Sequence, residues 1–442
     1  MTNKPHYPPE YQHNSISTLK TALENLGAYK SWRAYDPGPT ADIDKRYTAM
    51  PALTKKDIRE HFPAGFVPPG KDYVKGIASG EICEVKTSGT SDAFRVTNIW
   101  NQAWWDESER ASWKLNSHTE RLATGNQPEA ILVNARNVGF PSDEEDLPLE
   151  KRRLARFLYL NEKTNPAIWP PYLMDRMLNE LAIFKPVILE ANPSLLAKLC
   201  RYAASARKKV HQPGLITFTY DFPSVLAIKQ IRKVFSSPLA SSYGTTETGY
   251  VFMQCEAGKF HQNSASCRVD IQPLKSEHGG PLTGRILVTT FNNPWYYMVR
   301  FDVGDLGRID ETQKCRCGRD SGLILSSIEG RFINATLDCN GRLVTLRRLD
   351  EAVAELEGLD EYRVEQPAPQ IYVMHLVTQR CDYIQVDEEA SDILRKVYGK
   401  QADISIIHDD FLTTEDSGKY TLAKPLFPLN VNDYLESERN SR

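Results

Sequence analysis

Between residues 87 and 91 the chain reads Thr-Ser-Gly-Thr-Ser, four hydroxyl side chains around one glycine. A tight turn needs one or two such residues. Several backbone N–H groups and hydroxyls converging on one point make a cradle for a phosphate. No Gly-Lys-Ser/Thr follows at the P-loop offset, so the loop is not of the Walker type. A second group is thiol-rich: Cys315 and Cys317 in "CRCGRD", with Cys255 and His261 in "CEAGKFH". Three thiolates and one imidazole match a tetrahedral structural zinc site, against the plainer reading of reduced residues with no metal. Cys267 is a substitute ligand, and Cys83 and Cys200 read as core. Four short stretches add charge beside glycine: Glu247 in "SSYGTTETG", Asp305 in "VRFDVGDLG", Arg331 in "EGRFIN" and Lys419 in "EDSGKYTLAK". Taken singly, these read equally well as a helix N-terminus, a turn and a solvated loop lysine.

The elements that must position them follow from periodicity. The first eighty residues are helical and loop-rich, punctuated by proline. From about 97 to 210, strands such as "EAILVNA" and "PVILEA" alternate with helices such as "PSLLAKLCRYAASARK", the βαβ pattern of a layered α/β sheet. "LAIKQIRKVF" has helical spacing and leads into "PLASSYG", a strand expected to break at Gly244. Residues 267–310 turn to period two, which predicts a more antiparallel β region. Beyond "GRFINATLDCNGRLVT" come two amphipathic helices and three strands, a compact α+β unit. The expected fold class is therefore α/β. A large multi-layer N-terminal domain with a β-rich subregion spans 1–332, and a small mobile α+β domain spans 333–442.

Bulk properties narrow the partners. The chain has 442 residues, 41% hydrophobic and 25% charged, the composition of an ordinary folded domain pair. A net charge of −3 offers no field for nucleic acid or an anionic membrane. The opening "MTNKPHYPPEYQHNS" has no apolar h-region, and no run approaches a membrane span, so a cytoplasmic setting with reduced cysteines is the expectation.

Taken in order, the hydroxyl loop, Tyr-Gly-Thr-Thr-Glu, Val-Gly-Asp, Gly-Arg and Ser-Gly-Lys resemble the motif series of the adenylate-forming superfamily. That superfamily includes acyl- and aryl-CoA ligases and peptide-synthetase adenylation domains, and the likeness runs over nearly the whole chain. "MPALTKKDIREHFPAGF" further resembles a segment of the phenylacetate–CoA ligase-like branch.

The resemblance implies an ATP-dependent acid–thiol ligase acting on a small, aromatic carboxylic acid. Acyl-AMP forms with release of pyrophosphate, and the acyl group then passes to coenzyme A. Transfer to a carrier-protein pantetheine or another acceptor, and a degenerate ligand-binding homologue, are the alternatives. It implies that Thr87, Ser88, Gly89, Thr90 and Ser91 hold the β- and γ-phosphates, and that Ser242, Tyr243, Gly244 and Thr245 bind the nucleotide, with Tyr243 stacked near the adenine. Thr246 would meet the α-phosphate, and Glu247 would ligate Mg²⁺. Asp305 and Arg331 would bind ribose or phosphate. Lys419 would neutralise charge between carboxylate and α-phosphate, swung in and out by the small domain. Phe140, Tyr220, Asp221 and Phe222 would line the acyl pocket, and a homodimer is implied.

Three departures from the superfamily pattern stand out. The phosphate loop continues Asp92-Ala93-Phe94-Arg95 in place of a Gly-x-Pro-Lys/Thr run, so Arg95 is the candidate substitute cation. Ile333 and Asn334 occupy the hinge zone where an aspartate is usual, and "TYDFPSV" replaces a Gly-Ala-Glu-Pro-type turn.

Overall fold

The computed structural model describes residues 4–87, 96–123, 125–138, 147–163, 165–166, 169–415 and 419–437. The chain divides into two compact units, one of residues 1–120, 242–328 and 432–442, the other of residues 121–241 and 329–431. It passes between them inside the strands Leu239–Thr245 and Ile324–Arg331.

In the first unit the N-terminal segment forms helices. Pro9–Asn25 starts with proline in its first turn, where the missing N–H costs nothing. Lys55–His61 starts from a capping box: the Thr54 hydroxyl accepts from Asp57 N, and the Asp57 carboxylate accepts from Thr54 N. The remainder is antiparallel sheet, with Cys267–Pro273, Thr283–Thr290, Phe301–Ile309, Ile324–Arg331, Phe260–Gln262 and Gly249–Gln254 as successive neighbours. Every residue of Thr283–Thr290 is buried, as befits a central strand. Leu19, Tyr29, Tyr47, Phe66, Phe252, Val288 and Phe301 belong to one apolar core that joins helices to sheet. A backbone bridge fixes one contact that matters below. Leu53 N donates to Arg300 O and Asp302 N donates to Leu53 O, each at 2.9 Å, so the entry to helix Lys55–His61 is clipped to strand Phe301–Ile309.

In the second unit Leu239–Ser241, Leu215–Phe218, Ile188–Ala191, Glu129–Leu132 and Phe157–Tyr159 pair in parallel, with Arg153–Leu154 as an antiparallel edge. Helices Pro171–Phe184, Pro193–Ser205 and Val225–Arg232 cover this sheet through Leu173, Leu196, Ile231 and their neighbours. The parallel sheet with helical crossovers is the expected βαβ layer.

The expected small α+β segment is also present. Leu359–Ala368 and Ile371–Thr378 pair antiparallel, Asp403–His408 and Ala423–Pro425 flank them in parallel, and helices Leu346–Val353 and Tyr383–Tyr398 pack alongside. Within this unit it docks on helix Val225–Arg232. Leu226 lies in the same core as Leu349, Val364 and Leu394, Val225 N donates to Asp350 Oδ2 at 2.5 Å, and Arg201 pairs with Glu361.

Two local expectations change. Strand Leu239–Thr245 does not break at Gly244 but runs one residue further with a register shift between Tyr243 and Gly244. A Cβ on Gly244 would sit 2.1 Å from Gly249 O, so the close crossing of strands requires the glycine there. Cys83 is exposed on strand Cys83–Lys86 rather than core, because its two-stranded sheet leaves that face open, whereas Cys200 and Cys267 are buried.

Candidate active site

In the first unit, strands Leu239–Thr245 and Gly249–Gln254 are joined by Thr246, Glu247 and Thr248. Thr245 N and Thr245 Oγ1 both meet Thr248 Oγ1, at 3.3 and 3.0 Å, closing the turn from within. Gly249, at φ +68°, reverses the chain beside Ser108 and Trp104 with no room for a side chain. The turn drives Glu247 inward: it is 3% exposed, and its Oε1 accepts no hydrogen bond among the described residues. Its counter-charge is Lys55, whose Nζ lies 3.6 Å from that oxygen. A buried carboxylate oxygen without a donor suits a hard divalent cation, so Glu247 fits the Mg²⁺ role. On the neighbouring elements Tyr243 Oη donates to Asp305 Oδ2 at 2.8 Å, bringing together two residues 62 positions apart. Asp305 follows Gly304, whose φ of +84° kinks strand Phe301–Ile309 outward at that point. Ser242 Oγ is buried and likewise makes no hydrogen bond among the described residues.

Thr87 caps the base of the hydroxyl loop: its N donates to Val96 O at 3.0 Å and its Oγ1 accepts from Val96 N at 3.1 Å. Ser88, Gly89, Thr90 and Ser91, with Asp92 and Arg95, lie outside the described residues, as does Phe140.

In the second unit, Asp221 follows a strained turn. Tyr220 has φ +71°, and Asp221 N donates to Thr219 O at 2.9 Å, a γ-turn of the disfavoured hand. Asp221 Oδ1 accepts from Phe222 N at 2.9 Å, while Oδ2 is buried without a hydrogen-bond partner among the described residues. Burial pushes this carboxyl above its ordinary range, opposed first by the charge of Lys419 and then by Phe222 N and Arg331. The charges of Lys419 and of Arg331, at the end of strand Ile324–Arg331, thus both act on Asp221. Next to Lys419, Tyr420 packs against the core that contains Phe218 and Ala191, which holds this loop against the sheet. Phe222 packs against the core shared with Leu226 and Leu349.

The thiol-rich residues converge. The ligand atoms of Cys255, His261, Cys315 and Cys317 all lie within 4.8 Å of one another. Cys255 Sγ is 3.5 Å from Cys315 Sγ, and Cys317 Sγ is 3.4 Å from His261 Nε2. Zinc with Zn–S of about 2.3 Å and Zn–N of about 2.0 Å sets neighbouring donors about 3.5 Å apart, so the set fits that ion. Both cysteine loops fold alike. Gly258 N donates to Cys255 O and Gly318 N to Cys315 O, each glycine at positive φ. Burial holds the His261 imidazole down at about 4, so it is neutral as a ligand must be. Burial raises the Cys317 thiol, but hydrogen bonds from Arg319 and Cys315 outweigh it and leave it below its ordinary value. Cys267 stands apart, its thiol donating to Asn263 O in the core.

No protein-family model and no curated protein matches the chain. Solved structures do. A crystal structure of 2-hydroxyisobutyryl-CoA ligase in the postadenylation state superposes with a TM-score of 0.69 at 14% identity, covering 93% of this chain and 88% of that one. The amide bond synthetase McbA from Marinactinospora thermotolerans gives 0.52 at 13% identity, with 92% of each chain covered. The anthranilate CoA ligase AuaEII in complex with anthranoyl-AMP gives 0.52 at 11%, covering 78% and 65%. This chain has the adenylate-forming fold.

Within the adenylate-forming fold, two residues without a role in the sequence reading now stand at the Glu247 centre. Lys55 was legible only as part of a branch-like segment; its charge meets Glu247 because Leu53 is clipped to strand Phe301–Ile309. Tyr296 is buried and feels the charge of Glu247, and it carried no sequence signal. Among the described residues, His375 and His408 also have partners, Asp409 and Asp387, at the surface of the small α+β segment.

Proposed function

We propose that this protein is an ATP-dependent carboxylic acid–CoA ligase that activates a small, aromatic acid as its acyl-AMP and then forms the thioester. The observation that carries this reading is Glu247: a buried carboxylate with an oxygen free of hydrogen bonds, in a Tyr-Gly-Thr-Thr-Glu turn beside the Tyr243–Asp305 pair. Adenylation joins a carboxylate to the α-phosphorus of ATP, so two anions must approach, and the barrier is one of repulsion and positioning. Glu247 would hold Mg²⁺, which when bound neutralises phosphate charge. Asp305 would accept from the ribose hydroxyls while Tyr243 holds its carboxylate in place. Thr246 would meet the α-phosphate.

Lys419 supplies the last positive charge, on the segment 333–442 acting as a lid. Turning about 331–334 would bring it to the reacting carboxylate and withdraw it for thioester formation. Its charge, like that of Arg331, acts on Asp221 in the present arrangement. Tyr220, Asp221 and Phe222 would bound the acyl pocket, where shape selects the acid. The Cys255, His261, Cys315 and Cys317 set would hold a structural Zn²⁺ that braces the hairpin carrying Glu247 and takes no part in the reaction.

ATP–pyrophosphate exchange against a panel of aromatic and aliphatic acids tests the reading. Acid-dependent exchange with aromatic acids, followed by consumption of CoA, is the expected result. Failure of every acid to support exchange would overturn it, and exchange without CoA consumption would move the second half-reaction to another acceptor.

A further inference from the structure

Helix Gln102–Trp113 of the first unit lies against strand Gly249–Gln254, and two of its buried serines behave differently. Inside a helix a serine hydroxyl ordinarily bonds back to a carbonyl of the preceding turn. Ser112 does so, its Oγ donating to Glu109 O at 2.7 Å. Ser108 reaches out of the helix instead. Its Oγ accepts from Tyr250 N at 3.0 Å, where the register of the Glu247 hairpin shifts between Tyr243 and Gly244.

Asn263, itself buried, closes this contact from the other side. Its Nδ2 donates to Ser108 O and to Tyr250 O, each at 2.9 Å, so one amide ties helix backbone to strand backbone. Tyr250 is thus held at its N–H by Ser108 and at its carbonyl by Asn263. One residue earlier, a Cβ on Gly249 would stand 2.9 Å from Ser108 Oγ and 3.0 Å from Trp104 Cη2, so the helix also abuts the reversal of the chain. Two residues before that glycine is Glu247.

The helix is anchored along its length. Asn101 caps it, accepting from Trp104 N at 2.9 Å and donating to Glu81 O at 3.0 Å. Trp104 Nε1 donates to Phe291 O at 2.8 Å. Past its last turn, Asn116 Nδ2 donates to Gln254 O at 2.8 Å and Ser117 N donates to Glu256. A turn set against so fixed a strut can hold its carboxylate closely, and Mg²⁺ demands near-ideal octahedral geometry of its ligands. We propose that Ser108 is a positioning residue for Glu247: by accepting from Tyr250 N it fixes the turn that aims the carboxylate, with Asn263 completing the clamp. This rests on the reading of Glu247 as the Mg²⁺-binding carboxylate.

Amide hydrogen exchange of the metal-free full chain reads the contact itself, and calorimetric titration with Mg·ATP reads its consequence. Neither needs the acid. Ser108→Ala is expected to lose protection at the Tyr250 amide and to weaken Mg·ATP about fivefold, the weight of one hydrogen bond, while ATP without metal binds as in wild type. Ser112→Ala makes the same change one turn along the same helix and is expected to leave both readouts at their wild-type values, which tells a general loosening of the helix from loss of the Tyr250 contact. In a Glu247→Gln background Ser108→Ala should weaken Mg·ATP no further, because it acts through that carboxylate. Melting curves confirm folding, and Ser108→Cys, similar in shape but a weaker acceptor, replaces the alanine variant if that one does not fold. Unchanged Mg·ATP affinity in Ser108→Ala, an equal loss in Ser112→Ala, or additive losses with Glu247→Gln overturns the proposal. If Glu247→Gln weakens Mg·ATP and Ser108→Ala does not, only the positioning role is wrong. If wild type and Glu247→Gln bind Mg·ATP equally, the metal site is wrong and the role of Ser108 falls with it.

Discussion

Lys55 Nζ lies 3.6 Å from Glu247 Oε1, a cation one-third exposed against a carboxylate almost wholly enclosed. The pair sets a counter-charge beside a carboxylate sealed from solvent.

Removing that lysine should therefore show in stability. Lys55→Ala leaves a buried carboxylate without its counter-charge, and the metal-free protein is expected to lose on the order of 1 kcal/mol, with partial recovery on adding Mg²⁺. Glu247→Gln in the same background should restore most of the loss, because the stranded charge is gone. A double-mutant cycle by chemical denaturation checks this. Strictly additive single effects would show that the two side chains are not coupled.

Lys419 is expected to separate the two half-reactions. Lys419→Ala should lower ATP–pyrophosphate exchange by about a hundredfold or more, while thioester formation from a supplied acyl-adenylate changes little. Equal losses in both steps would contradict a lysine that is withdrawn before the thiol attacks.

Asp221 yields a pH signature. Burial holds its carboxyl above the ordinary 3.8, so the folded protein binds that proton more tightly than the unfolded chain does. Its stabilising contribution is complete below about pH 4 and is lost as pH rises through the folded-state value. Asp221→Asn removes the ionisation, so the variant should melt above wild type by a margin that widens as pH rises above about 4. A margin that narrows over that range would mean the cations around Asp221 outweigh its burial.

Four donors in zinc-like array predict about one equivalent of zinc in purified protein by elemental analysis. Cys315→Ser with Cys317→Ser should abolish it and lower the melting temperature, as chelator treatment does in wild type. Stable, metal-free wild-type protein would dismiss the zinc assignment.

Much of this architecture is legible along the chain because its signals are local. Alternating apolar runs announce the strands Glu129–Leu132 and Ile188–Ala191, and Thr54 with Asp57 announces a helix start. Glycines mark the turns that aim Glu247 and Asp305. The thiol-rich set was also readable, because Cys-x-Cys is a short motif with a specific chemistry, although Cys255 and Cys315 stand 60 positions apart.

What the amino-acid order determined by itself was which side chains could do chemistry, and the local turns that present them, since backbone conformation depends on near neighbours. Which of them meet was decided only in three dimensions. Lys55 faces Glu247 because a two-bond bridge at Leu53 ties an N-terminal helix to a distant strand. The charge of Lys419 reaches Asp221 while Tyr420, next to it, packs against the core that holds Phe218. Burial, and with it the strength of every charge, is a property of the packed chain as a whole, which no short stretch contains.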